Sequence, residues 1–210
     1  MTLLLDAGEG VLRCTQGRLF DPASRTWTAP GAVGPRGLEI SAMAAVTWLQ
    51  STEHACRVPV GVIGGREARP DQLDAAEALG RALAELGLTI LCGGRGGVME
   101  AACRGAASAG GVSVGLLPDD DPAMANAFVT IPIATGLGIA RNAVVARAAS
   151  CLVAVGGGYG TTSEVALGLQ FGKAVFTLAD GPEMHGARPC DGVDQAVDSV
   201  ARTILGLPLD

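Results

Sequence analysis

Glycine-rich turns, placed where β-prone runs meet helical patterns, constrain the fold of this chain more than any other feature. The run 151–155 leads into glycines at 156, 157, 158 and 160, and the run 88–92 leads into glycines at 93, 94, 96 and 97. A third run, 59–63, ends at Gly64 and Gly65. Apolar residues at helical spacing follow each turn, so the sequence repeats a strand–turn–helix unit.

The pattern of these units predicts the fold class. The β-prone runs are continuously apolar, which indicates strands that are buried on both faces. Strands that alternate with helices form right-handed crossovers in a parallel sheet. Residues 58–210 are therefore predicted to form an α/β, doubly wound parallel sheet of the Rossmann-like type.

Residues 1–57 have a different pattern and are predicted to form a small N-terminal extension. Runs at 11–20 and 25–27 indicate a hairpin around Asp21 and Pro22, and a helix is expected near 41–50. The segment contains no constellation of chemically active residues. We expect it to have a structural or dimer-covering role.

Composition and charge exclude several classes of protein. Glycine is 31 of 210 residues without the every-third spacing of collagen, and a chain with 49% hydrophobic residues is too apolar for disorder. The formal charge of −6 creates no field that attracts nucleic acid, so no nucleic-acid partner is expected. Because no apolar run is long enough to span a membrane and the N-terminus lacks a signal-peptide pattern, we expect a cytoplasmic protein without membrane contact.

The basic residues and cysteines narrow the chemistry further. Lys173 is the single lysine among 15 basic residues and lies outside any P-loop pattern, so phosphate binding must use arginines and backbone N–H groups. The spacing of the six cysteines, with only two histidines, predicts no metal site. Thr161 stands where the dinucleotide fingerprint needs glycine, which disfavours an NAD-dependent dehydrogenase.

The glycine turns predict where a ligand binds. In an open parallel sheet the loops after the strands emerge at one edge and converge on one site. Glycines there let backbone N–H groups approach an anion, and the N-terminus of the next helix adds partial positive charge. We therefore expect a ligand that carries phosphate. The glycines predicted to line the site are Gly64, Gly65, Gly93, Gly94, Gly96, Gly97, Gly157, Gly158 and Gly160.

Charged residues beside these turns allow two interpretations each. Glu164 either forms a helix capping box with Thr161, or holds a ligand hydroxyl and acts as a general base. Glu100 either pairs with Arg104, four residues further on, or belongs to the site. Arg141 begins a predicted helix, where the helix dipole disfavours a cation, and a phosphate contact explains it better.

Two other features near the same edge also leave a choice open. The acidic run 119–121 is either a solvated loop or a holder of hydroxyls or Mg²⁺. Tyr159 either stacks on a planar ring or is an exposed loop aromatic. Neither feature by itself indicates a function.

The glycine turns also carry a resemblance to a known family. Residues 157–164, Gly-Gly-Tyr-Gly-Thr-Thr-Ser-Glu, resemble the G-G-x-G-T-x-x-E signature of the Lonely Guy family and of the wider SLOG superfamily. Residues 93–99 resemble the family's G-G-x-x-G-x-M loop, which ends here at Met99. The resemblance, which covers about residues 58–180, implies cleavage of the N-glycosidic bond of nucleoside 5′-monophosphates by Arg141 and Glu164. It also implies a homodimer or higher homo-oligomer.

Within that superfamily the sequence is closer to another group. Gly156 replaces the proline of the Lonely Guy signature, and residues 138–142 lack its histidine and lysine. The resemblance is closer to the molybdenum cofactor carrier proteins, which bind a pterin phosphate. The residues that carry this resemblance are Thr135, Gly136, Arg141 and Asn142.

The residues and the resemblance together leave three functional hypotheses. The leading one is a carrier-like protein that binds a phosphate ester with a planar ring, either a nucleotide or molybdenum cofactor, and requires no other cofactor. The second is a nucleoside 5′-monophosphate phosphoribohydrolase of the cytokinin-activating type. The third is an interaction module whose pocket is a vestige.

Overall fold

A computed structural model describes residues 1–30 and 36–209. The chain divides into two compact units, Arg57–Val197 and a second unit that combines Met1–Cys56 with Asp198–Asp210. The end of the chain thus clusters with the N-terminal residues, whereas the sequence pattern places it in the Rossmann-like domain. The distance in sequence between the two parts of the second unit explains why no local pattern indicated this.

The unit that contains the N-terminus is a small β-structure with one helix. Its elements are β1 (Leu3–Asp6), β2 (Val11–Cys14), β3 (Phe20–Asp21), β4 (Thr26–Trp27), β5 (Leu38–Ile40) and α1 (Ala42–Gln50). Strand β1 lies between β2 and β5 in an antiparallel sheet, while β3 pairs with β4. The structure contains the predicted hairpin around Asp21 and Pro22 as the pair β3 and β4, but the run 11–20 is not one strand, because β2 and β3 belong to different sheets.

The larger unit alternates strands and helices as predicted. Its elements are β6 (Val60–Gly64), α2 (Pro70–Glu85), β7 (Ile90–Cys92), α3 (Val98–Ser108), β8 (Ser113–Leu117), β9 (Ile131–Ala134), α4 (Arg141–Ala148), β10 (Leu152–Val155), α5 (Tyr159–Gln170), β11 (Val175–Leu178), β12 (Arg188–Pro189) and the start of α6 (Val193–Ile204). The seven strands form one sheet in the order β12-β11-β10-β6-β7-β8-β9. Every strand pair in this sheet is parallel, which confirms the predicted Rossmann-like fold class.

The strand order determines where this unit can hold a ligand. From β6 the chain moves outward through β7, β8 and β9, and then returns to β10 on the other side of β6. The loops after β6 and β10 therefore leave the sheet in opposite directions and open a crevice at the carboxyl ends of these strands. Both strands are almost completely buried, which makes the edge of this crevice rigid.

Helices α2 and α3 pack against each other through two glycines. A Cβ on Gly80 would overlap the backbone oxygen of Ala102, and a Cβ on Gly105 would overlap the backbone oxygen of Glu77. An ion pair of 2.8 Å between Arg104 and Glu77 joins the same two helices. This close packing holds the first turn of α3 beside the crevice.

Residues 1–30 and 36–209 contain neither a membrane-spanning helix nor a cluster of potential metal ligands. None of the helices there is long and apolar enough to cross a membrane. In the same residues, no three His, Cys, Asp or Glu side chains come together as a metal site.

Candidate functional site

A cleft of about 650 Å³ opens at the carboxyl ends of β6 and β10, at the point where the strand order reverses. Its walls come from the loop after β6, the loop after β10 and the beginnings of α4 and α5. The lining residues are Gly64, Gly65, Arg66, Glu67, Arg69, Gln72, Met99, Pro118, Gly138, Ile139, Arg141, Asn142, Gly157, Gly158, Gly160, Thr161 and Glu164. The volume lies in the range of small-molecule sites.

A buried ion pair lies in the wall of the cleft. Arg141 is the first residue of α4, and its Nη1 donates to Glu164 Oε1 at 2.9 Å and to Asn142 Oδ1 at 2.7 Å. The Arg141 and Glu164 side chains are 9% and 7% exposed. Within the described part of the chain, Arg141 Nε is buried without a hydrogen-bond partner. The protein therefore satisfies only part of the hydrogen-bonding capacity of this guanidinium.

Asn142 joins the two helices that carry this pair. Its Nδ2 donates to Ser163 Oγ at 2.9 Å and to the Gly160 backbone oxygen at 3.4 Å. Because its Oδ1 also accepts from Arg141, one amide links the start of α4 to the first turns of α5. Asn142 thus holds Arg141 in position beside Glu164.

The environment of Glu164 changes its acidity. Burial raises the pKa of its carboxyl to about 7, although Arg141 acts in the opposite direction through its charge and its hydrogen bond. The acid therefore changes its protonation state close to neutral pH. When Glu164 is protonated, the positive charge of Arg141 is uncompensated. When Glu164 is ionised, its carboxylate neutralises that charge.

The free energy of unfolding should depend on pH because of the buried Glu164 carboxyl. Because its pKa is raised from 4.5 to about 7 on folding, the folded state binds more protons between these values, and stability must fall as the pH rises through this window. This shift makes the pH-dependent part of the stability about 3 kcal/mol. We expect Glu164→Gln to lack it, as measured by urea unfolding from pH 4 to 8. Parallel stability curves for the two proteins would refute the raised pKa.

The capping interpretation of Glu164 is wrong. Helix α5 begins at Tyr159 with Gly158 as its N-cap, so Thr161 and Glu164 both lie inside the helix. They are buried on the side that lines the cleft. The interpretation failed because the helix starts one turn earlier than the spacing of Thr161 and Glu164 suggests.

The ion-pair interpretation of Glu100 is also wrong. Arg104 pairs with Glu77 of α2, through Nε at 3.0 Å and Nη2 at 2.8 Å. Glu100 lies outside the cleft and lines a separate cavity together with Gly97 and Arg104. A pairing between two helices carries no local sequence signal.

The turn after β10 contributes glycines that face open space. Gly158 and Gly160 line the cleft, and a Cβ on either would meet no atom within 4 Å. Gly157, with φ of +123°, adopts a conformation that only glycine adopts readily. The backbone at the start of α5 is therefore accessible to a ligand.

The turn after β7 supports the cleft from behind. A Cβ on Gly93 would overlap Arg141 Nη2, and one on Gly97 would overlap the backbone oxygens of Gly65 and Arg66. Gly94 packs against Leu117 in the same way. The predicted residues Gly93, Gly94, Gly96 and Gly97 do not line the cleft, whereas Met99 does. Gly93 allows the close approach of Arg141, and Gly97 allows that of the loop after β6.

Three other predicted residues do not line the cleft. Thr135 donates its hydroxyl to the Leu117 backbone oxygen at 2.7 Å, and Gly136 donates its N–H to the Asp119 backbone oxygen at 2.9 Å. Tyr159 is 98% exposed and does not line the cleft. Nearby, Asp119 pairs with Arg95 at 2.7 Å, which shows that the first residue of the acidic run has a structural partner.

Sequence reasoning missed one wall of the cleft. Arg66, Glu67, Arg69 and Gln72 all line it, and all follow Gly64 and Gly65 directly in sequence. Two arginines within five residues of a predicted turn are a signal that could have indicated a phosphate-binding loop.

A comparison with protein families matches residues 57–201 to the SLOG cluster4 family. The chain belongs to this family. The match covers the larger unit and therefore the whole cleft. The predicted membership of the SLOG superfamily is confirmed.

The SLOG chain resembles proteins from several organisms. It is 40% identical over 139 residues to an uncharacterized protein of Archaeoglobus fulgidus, an alignment that covers 66% of this chain and 91% of that protein. The solved structure of the molybdenum cofactor binding protein of Rippkaea orientalis aligns with a TM-score of 0.67 at 34% identity, covering 71% of this chain and 99% of that one. The molybdenum cofactor carrier protein of Chlamydomonas reinhardtii aligns with a TM-score of 0.63 at 36% identity, covering 70% and 98%.

Proposed function

We propose that this SLOG protein is carrier-like and that its cleft binds a phosphate ester with a planar ring, either molybdenum cofactor or a nucleotide. The observation that carries the proposal is the buried, partly satisfied guanidinium of Arg141 in the wall of the cleft. A buried guanidinium whose N–H groups are only partly satisfied is costly, and an anion in the cleft would supply further acceptors. A phosphate group offers several acceptor oxygens and fits the planar fork of an arginine.

The start of α5 supplies a second feature that favours an anion. The helix is 12 residues long, and its first turn carries the partial positive charge of unpaired backbone N–H groups. Gly158 and Gly160 leave this turn unobstructed on the cleft side. Arg141 and the N-terminus of α5 together form a site in which one phosphate is held by a side chain and by backbone groups.

The structural neighbours support the choice of ligand class. The proteins of Rippkaea orientalis and Chlamydomonas reinhardtii are described as binding or carrying molybdenum cofactor. Nearly the entire length of each aligns with this chain, so the region that contains the cleft corresponds to their whole structure. In this chain the cofactor would be cargo, with its phosphate against Arg141 and its ring system in the remaining cleft volume.

A second candidate is the nucleoside 5′-monophosphate phosphoribohydrolase. Glu164 favours it, because a carboxyl with a pKa of about 7 is suited to take up or release a proton at neutral pH. In this reaction Glu164 steadies the ribose or activates water, while Arg141 and the backbone of the turn hold the phosphate. The same two residues therefore serve both candidates.

One pair of measurements separates the candidates. The protein is purified from a host that makes molybdenum cofactor and inspected for pterin absorbance and fluorescence, and it is then incubated with AMP to measure both AMP binding and the release of free adenine. Bound pterin without adenine release is the expected result. Adenine release that falls about 100-fold or more in Glu164→Gln would establish the hydrolase instead. A protein that neither retains pterin nor binds AMP contradicts both candidates.

The organisation of the protein belongs to the same proposal. We infer that the unit Arg57–Val197 is the ligand-binding domain and that the unit combining Met1–Cys56 with Asp198–Asp210 has a structural role, in a homodimer or higher homo-oligomer. Exposed Ile131 and Ile133 on the edge strand β9 support self-association, since such a surface is unfavourable in water. Cytoplasmic location and the lack of a nucleic-acid partner stay predictions.

A further inference from the structure

The side chain of Gln72 contacts three separate segments around the cleft. Gln72 lies in the first turn of α2 and is 6% exposed. Its Oε1 accepts from the Arg69 backbone N–H at 3.1 Å, and its Nε2 donates to the Ala179 backbone oxygen at 3.0 Å. It also packs against Gly156, where an added Cβ would overlap the Gln72 amide. The loops after β6, β10 and β11 thus meet at one amide.

The loop after β11 has a backbone that needs support. Ala179 and Asp180 have φ of 49° and 59°, a left-handed conformation that is unfavourable for residues with a Cβ. Gln72 holds the Ala179 backbone oxygen, while Arg69 pairs with the Asp180 carboxylate at 2.7 Å. Surrounding contacts of this kind are what keep such a conformation in place.

The same amide lies behind the glycine turn of the cleft. Gly156, with φ of +50°, donates its N–H to the Leu178 backbone oxygen at 2.9 Å, which joins the turn to the end of β11. Gly157 and Gly158 follow immediately and line the cleft. A shift of the Gln72 amide would therefore move the backbone that we propose as the phosphate site.

We propose that Gln72 is a positioning residue, which fixes the turn at 156–160 and the segment 179–180 relative to Arg69 and so sets the affinity of the cleft. The assignment rests on the proposed function of the cleft. Gln72 holds the geometry through two hydrogen bonds and one packing contact, and it contributes no charge. A neutral amide is suited to this place because it both accepts and donates.

A simpler role for Gln72 is to cap α2. Gln at this position of a helix accepts from a backbone N–H at the helix start, and Glu does so equally well. The ionised Glu carboxylate cannot donate to the Ala179 backbone oxygen, however. Gln72→Glu therefore keeps the cap and removes the link to the loop after β11, which separates the two roles.

The test combines hydrogen exchange with AMP binding on the full chain. In Gln72→Glu we expect amide exchange in 156–160 and 178–181 to accelerate roughly tenfold, and the dissociation constant for AMP to rise roughly tenfold. The control is Gln195→Glu, since Gln195 also accepts from a nearby backbone N–H, that of Asp191, but is exposed and does not line the cleft. If the buried carboxylate prevents folding, Gln72→Met replaces it as a neutral side chain of similar size.

The Ala179→Gly background provides a rescue test. Glycine adopts a left-handed conformation at little cost, so the segment then depends less on Gln72, and the exchange effect of Gln72→Glu should shrink. If amide exchange and AMP affinity are unchanged in Gln72→Glu, Gln72 acts only as a helix cap. Failure of the wild-type protein to bind AMP would count against the nucleotide-binding proposal, while the exchange result would still decide the role of Gln72.

Discussion

Arg141→Ala is expected to weaken the binding of AMP or of a pterin phosphate by about 100-fold or more. The substitution removes the cation that we propose to contact phosphate, and loss of a charged, largely buried hydrogen-bonding partner costs about 2–5 kcal/mol. It also leaves the Glu164 carboxyl without its partner, which raises the pKa of Glu164 further and favours its neutral form. Isothermal titration calorimetry at pH 7 measures the effect.

The matched control for this prediction is Arg147→Ala. Arg147 lies in the same helix, six residues on, and its guanidinium stacks over the Phe171 ring at 4.0 Å rather than lining the cleft. We expect ligand affinity within about twofold of wild type in this variant, with a small loss of stability from the lost stacking. Equal affinity in Arg141→Ala and Arg147→Ala would show that Arg141 does not bind the ligand.

Gly105→Ala is expected to lower the free energy of unfolding by about 2 kcal/mol or more. Its Cβ would overlap the Glu77 backbone oxygen, which belongs to a helix and cannot move aside as a flexible side chain could. Overpacking of this kind costs roughly 1–3 kcal/mol or more and exceeds the gain of about 1 kcal/mol in helix propensity. Chemical denaturation monitored by circular dichroism measures the change.

Gly160→Ala is the control for the packing effect. Gly160 also lies in a helix, but its Cβ would meet no atom within 4 Å, so the folded protein should keep its stability or gain slightly. If Gly105→Ala and Gly160→Ala unfold at the same denaturant concentration, the close packing of α2 and α3 does not account for any loss of stability in Gly105→Ala. The comparison thus tests the helix contact that supports the first turn of α3.

The sequence allowed prediction of features that depend on neighbours along the chain. Glycine turns indicate the carboxyl ends of β6, β7 and β10, because tight turns restrict the local backbone. Continuous apolar runs indicate buried strands. These two signals were sufficient for the α/β class, which is confirmed. They also indicated the region of the cleft, since strand order places the loops after β6 and β10 together.

Features that depend on contacts between distant residues were not predictable. The turn after β7 carries the same glycine signal as the turn after β10, yet Gly93 supports Arg141 from behind while Gly158 faces the cleft. The pairing of Arg104 with Glu77 and the burial of Gln72 arise from helix packing, which no local pattern shows. Strand β1 was missed because it is four residues long and is stabilised by pairing with both β2 and β5.

A crystal structure of the protein grown with AMP, or with the pterin ligand that it retains on purification, shows whether Arg141 and the start of α5 bind phosphate. We expect the phosphate in the cleft, within hydrogen-bond distance of the Arg141 guanidinium and of the backbone N–H groups at the start of α5. The planar ring should lie between that turn and the wall formed by the loop after β6. A ligand bound elsewhere, or a cleft in which Arg141 keeps its present contacts with Glu164 and Asn142 and touches no phosphate, would contradict this expectation.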